Sequence, residues 1–90
     1  MSSFVVKQSG IDQPFDERKL YASIFISLRI ANESEKTAEV ISGEVVTLLK
    51  RWLENKTHVT SHDIRNHAAA HLKDYNKVAA YVYTHHRTLS

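Results

Sequence analysis

The chain has no cysteine, one proline and two glycines among its 90 residues. The lack of cysteine excludes disulfides, thiolate catalysis and cysteine-ligated zinc. The scarcity of glycine and proline predicts few loops and mostly regular structure. No apolar run approaches the roughly 18 residues of a membrane span, and the amino-terminal stretch lacks the layout of a secretory signal. These features predict a single cytoplasmic domain over residues 1–90, with a core over about 4–87.

The excess of basic over acidic residues is small, and the sequence lacks the common enzyme signatures. Lysine and arginine total 12 against 10 acids, a net charge of +2 with the histidines neutral. Acids and bases alternate along the chain, so an anion site must come from local geometry, because the global field is weak. The sequence has no P-loop, no dinucleotide fingerprint and no nucleophile elbow. We therefore expect no enzymatic activity.

The amino-terminal stretch predicts a β-hairpin that leads into a helix. Residues 4–6 favour a strand, Ser9 and Gly10 supply a turn, and residues 11–15 return as a second short strand. Asp16 is predicted to cap the first helix, because its carboxylate can accept from the free amides of the first turn. The hairpin and the helix start are therefore expected to lie side by side.

Apolar residues at helical spacing predict four helices. The expected inner stripes are Leu20, Ile24, Leu28 and Ala31; Ile41, Val45, Leu48, Leu49 and Trp52; Ile64, Ala68 and Leu72; and Val78, Tyr81, Val82 and His85. Asn32 or Ser34 is predicted to cap the second helix, Thr60 to begin a capping box, and Asp74 to cap the fourth helix. Residues 57–59 are a candidate third strand. The expected class is α+β, mostly helical.

Histidine is abundant, with six in the chain. His67 and His71 are four residues apart on one helix face, and His58 and His62 have the same spacing. Two imidazoles one turn apart can bind a metal, but the first pair has no carboxylate between them as a zinc protease would need. The favoured interpretation is polar or half-buried histidines between helices, so no metal site is predicted.

Lys7 and Lys19 flank the predicted turn and helix start. A strand that ends at Lys7, a turn at Gly10 and a helix that begins at Asp16 place two ammonium groups, turn amides and the positive end of a helix dipole together. Such a group suits a phosphate chain, since lysine gives charge without demanding bidentate geometry. The alternative is two solvated surface lysines.

The run "VVKQSGIDQPFDERKL", residues 5–20, resembles the opening of the ATP-cone domain. The family pattern is valine, any residue and lysine-arginine-aspartate-glycine. After a short variable stretch it continues with an aromatic or aliphatic residue, aspartate or asparagine, two variable residues, lysine and an aliphatic residue. The matching positions are Val5, Lys7, Gly10, Phe15, Asp16, Lys19 and Leu20. Downstream, "HVTSHDIRNH" is similar to the family's entry to its third helix, and "KVAAYVYTHHR" to its closing helix. The resemblance covers residues 4–87.

The resemblance implies a regulatory nucleotide-binding module. The family fold is a four-helix bundle capped by a small β-sheet, here two- or three-stranded, near the N-terminus. Its ligand is ATP or dATP, with or without magnesium. Such domains stand at the amino end of many ribonucleotide reductases and in the repressor of their genes, where bound nucleotide changes oligomeric assembly. The implied partners are an adenine nucleotide and either a homo-oligomer or a partner enzyme or regulator, with no membrane.

The resemblance also implies the nucleotide-binding residues, which are Val5, Lys7, Gln8, Gln13, Asp16, Lys19, Ser61, His62, Arg65 and Arg87. Lys7 and Gln8 would meet phosphates from the first strand. Gln13 and Asp16 would face the base, and Lys19 would point toward the same pocket. Asp16 is a helix cap in either case.

The remaining implied contacts lie near the third helix and at the carboxyl end. Ser61, or alternatively His62, would contact the sugar, and Arg65 would contact phosphate. Ser61 can equally act as a cap. Arg87 would replace a terminal basic residue that binds phosphate in the family.

The chain departs from the family pattern at Gln8 and Ser9, where arginine and aspartate are usual. Glutamine can still hydrogen-bond a phosphate, but a charge-assisted bond is roughly twice as strong. The departure motivates a second hypothesis, a degenerate cone that acts as a protein-interaction or dimerisation module without nucleotide. A third hypothesis is a small helical nucleic-acid binder. It requires a basic recognition helix, whereas the third helix offers only Arg65 and Lys73.

Overall fold

The computed structural model describes residues 5–8, 11–56 and 58–85, and of residues 5–8 and 11–14 it describes the backbone. The elements in chain order are β1 (Val5–Gln8), β2 (Ile11–Pro14), α1 (Glu17–Ile30), α2 (Glu35–Leu53), β3 (His58–Thr60), α3 (Ser61–Lys73) and α4 (Lys77–His85). The prediction of a mostly helical, four-helix domain is confirmed.

The backbones of the three short strands lie in the order β2-β1-β3. β1 pairs with β2 in antiparallel fashion, with Val6 opposite Gln13. β1 pairs with β3 in parallel, with Val6 opposite Val59. β1 therefore pairs on one side with β2, its neighbour in the chain, and on the other side with β3, which follows two helices.

The helices pack in a ring, because α1 contacts α2 and α4, and α3 contacts the same two helices. The core runs through all four helices and includes side chains with no exposed surface, among them Ile24, Leu28, Val45, Leu49, Leu53 and Leu72. Short connections make sequential helices antiparallel. Residues 31–34 and 74–76 therefore share one end of the bundle, called here the loop end. The strands and the first turns of α1 and α3 share the other, the sheet end.

The predicted stripe of α4 is confirmed at Val82, which is buried, and wrong at its other three residues. Val78 and Tyr81 are 60% and 63% exposed, and His85 is exposed as well. The buried face consists of Ala79, Ala80, Val82 and Tyr83. Alanines at the inner positions let α4 approach its neighbours closely. Because apolar residues occupy both faces of this helix, spacing alone did not identify the inner one.

Two of the predicted caps are confirmed, one open choice is settled and one prediction is wrong. The Asp16 side chain caps α1, Thr60 forms a capping box at α3, and Ser34, rather than Asn32, caps α2. Asp74 instead follows the last residue of α3. The residue before α4 is Asn76, whose Oδ1 accepts from the amide of Ala79 at 2.9 Å. A cap must directly precede the first helical residue, and the turn at 74–76 moves that position two residues along.

Candidate functional site

The parallel pairing of β1 with β3 brings the carboxyl end of β1 to the amino end of α3. The backbone of Lys7 lies opposite Thr60 on β3 and opposite Asp12 on β2. The Thr60 hydroxyl accepts from the Asp63 amide at 2.9 Å, and Asp63 Oδ2 accepts from the Thr60 amide at 3.3 Å. The start of a helix attracts anions, because its amides and its dipole present positive charge. The position of Lys7 in the chain is therefore next to such a helix start.

The first turn and a half of α3 carries three of the implied contact residues. Ser61 is half-buried and His62 is exposed, with the His62 Nε2 atom 3.0 Å from Nδ2 of Asn66. Arg65 is half-buried and lies on the side of α3 that faces α4, since its charge acts on Tyr83. Burial raises the pKa of Tyr83 to about 12, and the Arg65 charge opposes that rise.

The start of α1 presents Lys19 on the side of the helix away from α2. Asp16 Oδ1 accepts from the Lys19 amide at 3.2 Å, so the cap uses one carboxylate oxygen. Glu17 faces α2, where its carboxylate pairs with Lys50 at 3.1 Å. Two residues along a helix correspond to about 200° of rotation, which points the exposed Lys19 to the α4 side. Lys19 and Arg65 thus flank the carboxyl end of α4 from α1 and α3.

Half of the implied contact residues have described side chains. They are Asp16, Lys19, Ser61, His62 and Arg65. The side chains of Val5, Lys7, Gln8 and Gln13, and the whole of Arg87, lie outside the described part of the structure. The separation of the Lys7 and Lys19 ammonium groups therefore stays a prediction. Neither Lys19 nor Arg65 forms an ion pair with a described carboxylate.

The seam between α2 and α3 holds an aromatic and cationic cluster that the sequence indicated only in part. The Trp52 and His67 rings stack with centroids 4.1 Å apart, and His71 meets His67 edge-on at 4.9 Å. Lys56 Nζ lies 5.3 Å from the centre of the Trp52 ring. Burial, then the nearby His71 and Lys56, lowers the pKa of His67. The interpretation of His67 and His71 as half-buried histidines between helices is confirmed.

Two other kinds of site were sought in the described ranges. No group of three or more histidine, aspartate or glutamate side chains there is arranged to hold a metal ion. None of the helices described is both long and apolar enough to cross a bilayer.

Comparison with known protein families identifies a match. A model of the ATP cone domain family matches residues 3–89, nearly the whole chain. No curated protein and no solved structure matches the chain. The matched range contains every residue to which the resemblance assigned a nucleotide contact.

Proposed function

Because the chain belongs to the ATP-cone family, we propose that it is a regulatory module that binds ATP or dATP and acts by allostery or by a change in oligomeric assembly. It has no chemistry of its own. The family identification made from the sequence is confirmed by the match over residues 3–89. ATP-cone domains are in general nucleotide-binding regulatory modules, and the assignment of ligand and contacts to this chain is our proposal.

The main support within the molecule is the positive charge at the sheet end. Lys19 and Arg65 lie on either side of the carboxyl end of α4, and no described carboxylate neutralises them. The first turns of α1 and α3 point their dipoles toward the same end, and the amides there that the Asp16 and Thr60 side chains do not cap are available to a ligand. Fixed positive charges and helix starts in one place favour a polyanion over a neutral ligand.

The phosphate chain would lie between the sheet and the helix starts. Lys7, beside the cap of α3, and Lys19 would supply charge, and Gln8 would add a neutral hydrogen bond. Arg65 and Arg87 would contact the same chain from α3 and from beyond α4. Magnesium, where present, would bind phosphate oxygens, because it retains waters and prefers substrate phosphates to an all-protein cage.

The nucleoside would contact the remaining residues. Asp16 uses Oδ1 for the cap, which leaves Oδ2 as an acceptor for the adenine amino group, together with the Gln13 side-chain carbonyl. Ser61 or His62 would contact the sugar. A serine hydroxyl can donate and accept, so a ribose 2′-hydroxyl would add one hydrogen bond that the deoxyribose lacks.

Regulation requires that the nucleotide bind two states of the protein with different affinities. Typical couplings are about 1–3 kcal/mol, which corresponds to a shift of roughly 5- to 150-fold. The second state would be an assembly of copies or a complex with a partner protein. A ligand with equal affinity for both states would shift nothing, however tightly it bound.

Calorimetric titration with ATP and dATP tests the proposal. We expect binding by the wild-type chain, and a loss of about tenfold or more in affinity for Lys7→Ala and for Lys19→Ala, since each removes a charge-assisted contact of about 1.5–3 kcal/mol. Arg18→Ala is the matched control, because it removes an exposed cation from the same turn of α1. Its affinity should stay within about twofold, the attenuation expected of a surface charge without contact.

The degenerate cone is the competing proposal, favoured by the neutral Gln8 in place of arginine. It predicts no heat of binding and no rise in melting temperature with either nucleotide at millimolar concentration, because a ligand stabilises only the state that it binds. That result would refute nucleotide binding. Equal affinities of Lys19→Ala, Lys7→Ala and wild type would refute the site.

A further inference from the structure

One surface of the bundle carries large apolar side chains that the core leaves exposed. We call it the α1–α4 face. It comprises Ile26 and Ile30 on α1, 42% and 50% exposed, and Val78 and Tyr81 on α4, 60% and 63% exposed. The two helices pack against each other. Nδ2 of Asn76 donates to Oε2 of Glu33 at 2.7 Å, which ties the end of α1 to the start of α4. Clustered exposed apolar residues of this size mark interaction sites.

The placement of Ile26 and Ile30 follows from helix geometry. Tyr21 faces α2, because its hydroxyl donates to the Glu39 carbonyl at 3.4 Å. Ile26 follows Tyr21 by five residues, or about 140° of rotation, and Ile30 follows it by nine, or about 180°. Both therefore lie on the side of α1 away from α2. That side borders α4. On α4, the residue next to Tyr81 is Val82, which is buried but does not belong to the described core cluster of the bundle.

The exposed charges that α1 and α4 carry around this face are positive apart from Glu17, and the nearest acid at the loop end, Glu33, is half-buried and bound by Asn76. Glu17, the only acid of α1, is turned to α2 by its pairing with Lys50. Helix α4 has no acid at all. The exposed cations of the two helices are Arg18, Lys19, Arg29 and Lys77. A partner for this surface should therefore present apolar residues together with carboxylates.

The outer side of α2 offers that combination in a shallow groove. Its lining consists of two acids, Glu39 and Glu44, one cation, Arg51, and the uncharged Val40, Gly43, Thr47 and Leu48, so that acids outnumber cations by two to one. A Cβ atom at Gly43 would meet nothing within 4 Å, so packing inside the chain does not require a glycine there. Glycine inside a helix costs about 1 kcal/mol relative to alanine. Its effect is to open the backbone to a side chain that approaches from outside.

We propose that the α1–α4 face of one copy docks into the α2 groove of a second copy, so that the chain assembles head to tail. The apolar side chains would lie over Val40, Gly43 and Leu48, and Arg29 and Lys77 would face Glu39 and Glu44. Pairing of two α1–α4 faces would instead bring like cations together. A contact between two different surfaces leaves one free at each end, so it continues into a ring or an open chain. This inference rests on the proposed function, since it identifies the assembly that nucleotide would regulate.

Two substitutions separate the surfaces. Tyr81→Glu places a carboxylate on the α1–α4 face, and Gly43→Lys places bulk and a cation in the groove. Lysine favours helix over glycine, so Gly43→Lys should not unfold the chain. Ala70→Glu and Ala70→Lys, at an exposed position of α3 outside both surfaces, are the matched controls. Association should weaken by about tenfold or more in each test variant and remain unchanged in the controls.

Mixing the two variants gives the decisive result. Tyr81→Glu keeps an intact groove and Gly43→Lys keeps an intact α1–α4 face, so one contact can form and no further one. Sedimentation velocity should show monomers of 10.3 kDa for each variant alone and a species of twice that mass for the mixture. Wild type should show larger assemblies that grow with concentration. Each sample is run with and without ATP.

Three outcomes would overturn the inference. These are a wild type that stays monomeric at millimolar concentration with and without ATP, an assembly that Tyr81→Glu abolishes and Gly43→Lys leaves intact, and a mixture that remains monomeric. A monomeric wild type that still binds ATP by calorimetry would refute the proposed interface but not the proposed nucleotide binding. Assembly through the proposed contacts without any nucleotide binding would refute nucleotide binding and support the interface.

Discussion

The two ends of the bundle differ in whether charged side chains are left unpaired. At the loop end, Asn76 joins Glu33 at 2.7 Å and also caps α4 through Ala79. Tyr75, in the same loop, donates to Glu44 of α2 at 2.9 Å, and that hydrogen bond is the main reason why the pKa of Tyr75 is raised. The polar side chains of this end therefore serve to hold the helices together.

The sheet end also has polar groups that hold the fold, namely the caps at Asp16 and Thr60, but it leaves two cations unpaired. Lys19 and Arg65 have no described carboxylate partner, although other surface ions of the same bundle, such as Glu17 and Lys50, find one. Leaving cations unpaired beside two helix starts adds nothing to stability, and it preserves electrostatic attraction for a ligand. The difference separates an end that stabilises the fold from an end suited to binding.

The largest effect is expected from Asn76→Ala at the loop end. It removes the cap of α4 and leaves the half-buried Glu33 without its partner. We expect the free energy of unfolding in urea to fall by about 2 kcal/mol. ATP affinity, measured where the variant is fully folded, should not change. Asn55→Ala, an exposed asparagine after α2, should stay within about 0.5 kcal/mol of wild type. A parallel loss of affinity in Asn76→Ala would show that the two ends are not separable.

The second prediction restores the family pattern at the sheet end. Gln8→Arg should raise ATP affinity by about tenfold, or about 1.4 kcal/mol, because a charged donor replaces a neutral one. The gain should shrink as salt concentration rises, since ions screen the added attraction. Gln8→Leu, which loses the donor, should bind more weakly than wild type. Calorimetry at two salt concentrations measures all three, and an affinity of Gln8→Arg equal to that of wild type would place residue 8 away from the phosphates.

The helices were predictable because local patterns determine them. The caps at Asp16 and Thr60 and the stripes of α1 and α3 depend on residues within a few positions of each other. The inner face of α4 was not predictable beyond Val82, since apolar residues lie on both sides of this helix and the neighbours that α4 meets determine which side is buried. The cap at Asn76 was missed for the same reason, because the length of the turn is set by packing.

The proposed site depends on the family pattern more than on the local sequence. Sequence spacing relates Lys7 to Lys19, whereas the proposed contribution of Arg65 comes from α3, more than forty residues later. The parallel pairing that puts Lys7 opposite Thr60 is a long-range contact without a local signal. The stack of Trp52 on His67 is also long-range, and it was indicated only as far as an apolar Trp52 and a half-buried histidine.

Gly43→Ala, in the middle of α2, tests whether the stability of the bundle can change without a change in ATP affinity. A methyl group there meets nothing within 4 Å, so only helix propensity changes. The free energy of unfolding should rise by about 1 kcal/mol. Ala70→Gly, at an exposed position in α3, should lower it by a similar amount. Neither change should alter ATP affinity when both are measured at a concentration too low for assembly. A change in affinity would mean that scaffold stability and ligand binding are coupled.

The smallest effect is expected from acid at the seam of α2 and α3. The lowered pKa of His67 means that the folded state binds the proton less tightly than the unfolded chain, whose ordinary histidine pKa is 6.5. The contribution of the neutral His67 to the free energy of unfolding is therefore fully present above pH 6.5 and is lost as the pH falls from 6.5 toward the lowered pKa. His67→Gln should flatten the slope of melting temperature against pH in that window, whereas His58→Gln, at an exposed strand position, should keep it. Lys56→Met should flatten it partly, because one cation facing His67 is removed. An unchanged slope in His67→Gln would mean that the acid sensitivity arises elsewhere. The proximity of His71 and Lys56 to His67 would then have no measurable effect on the stability of the fold.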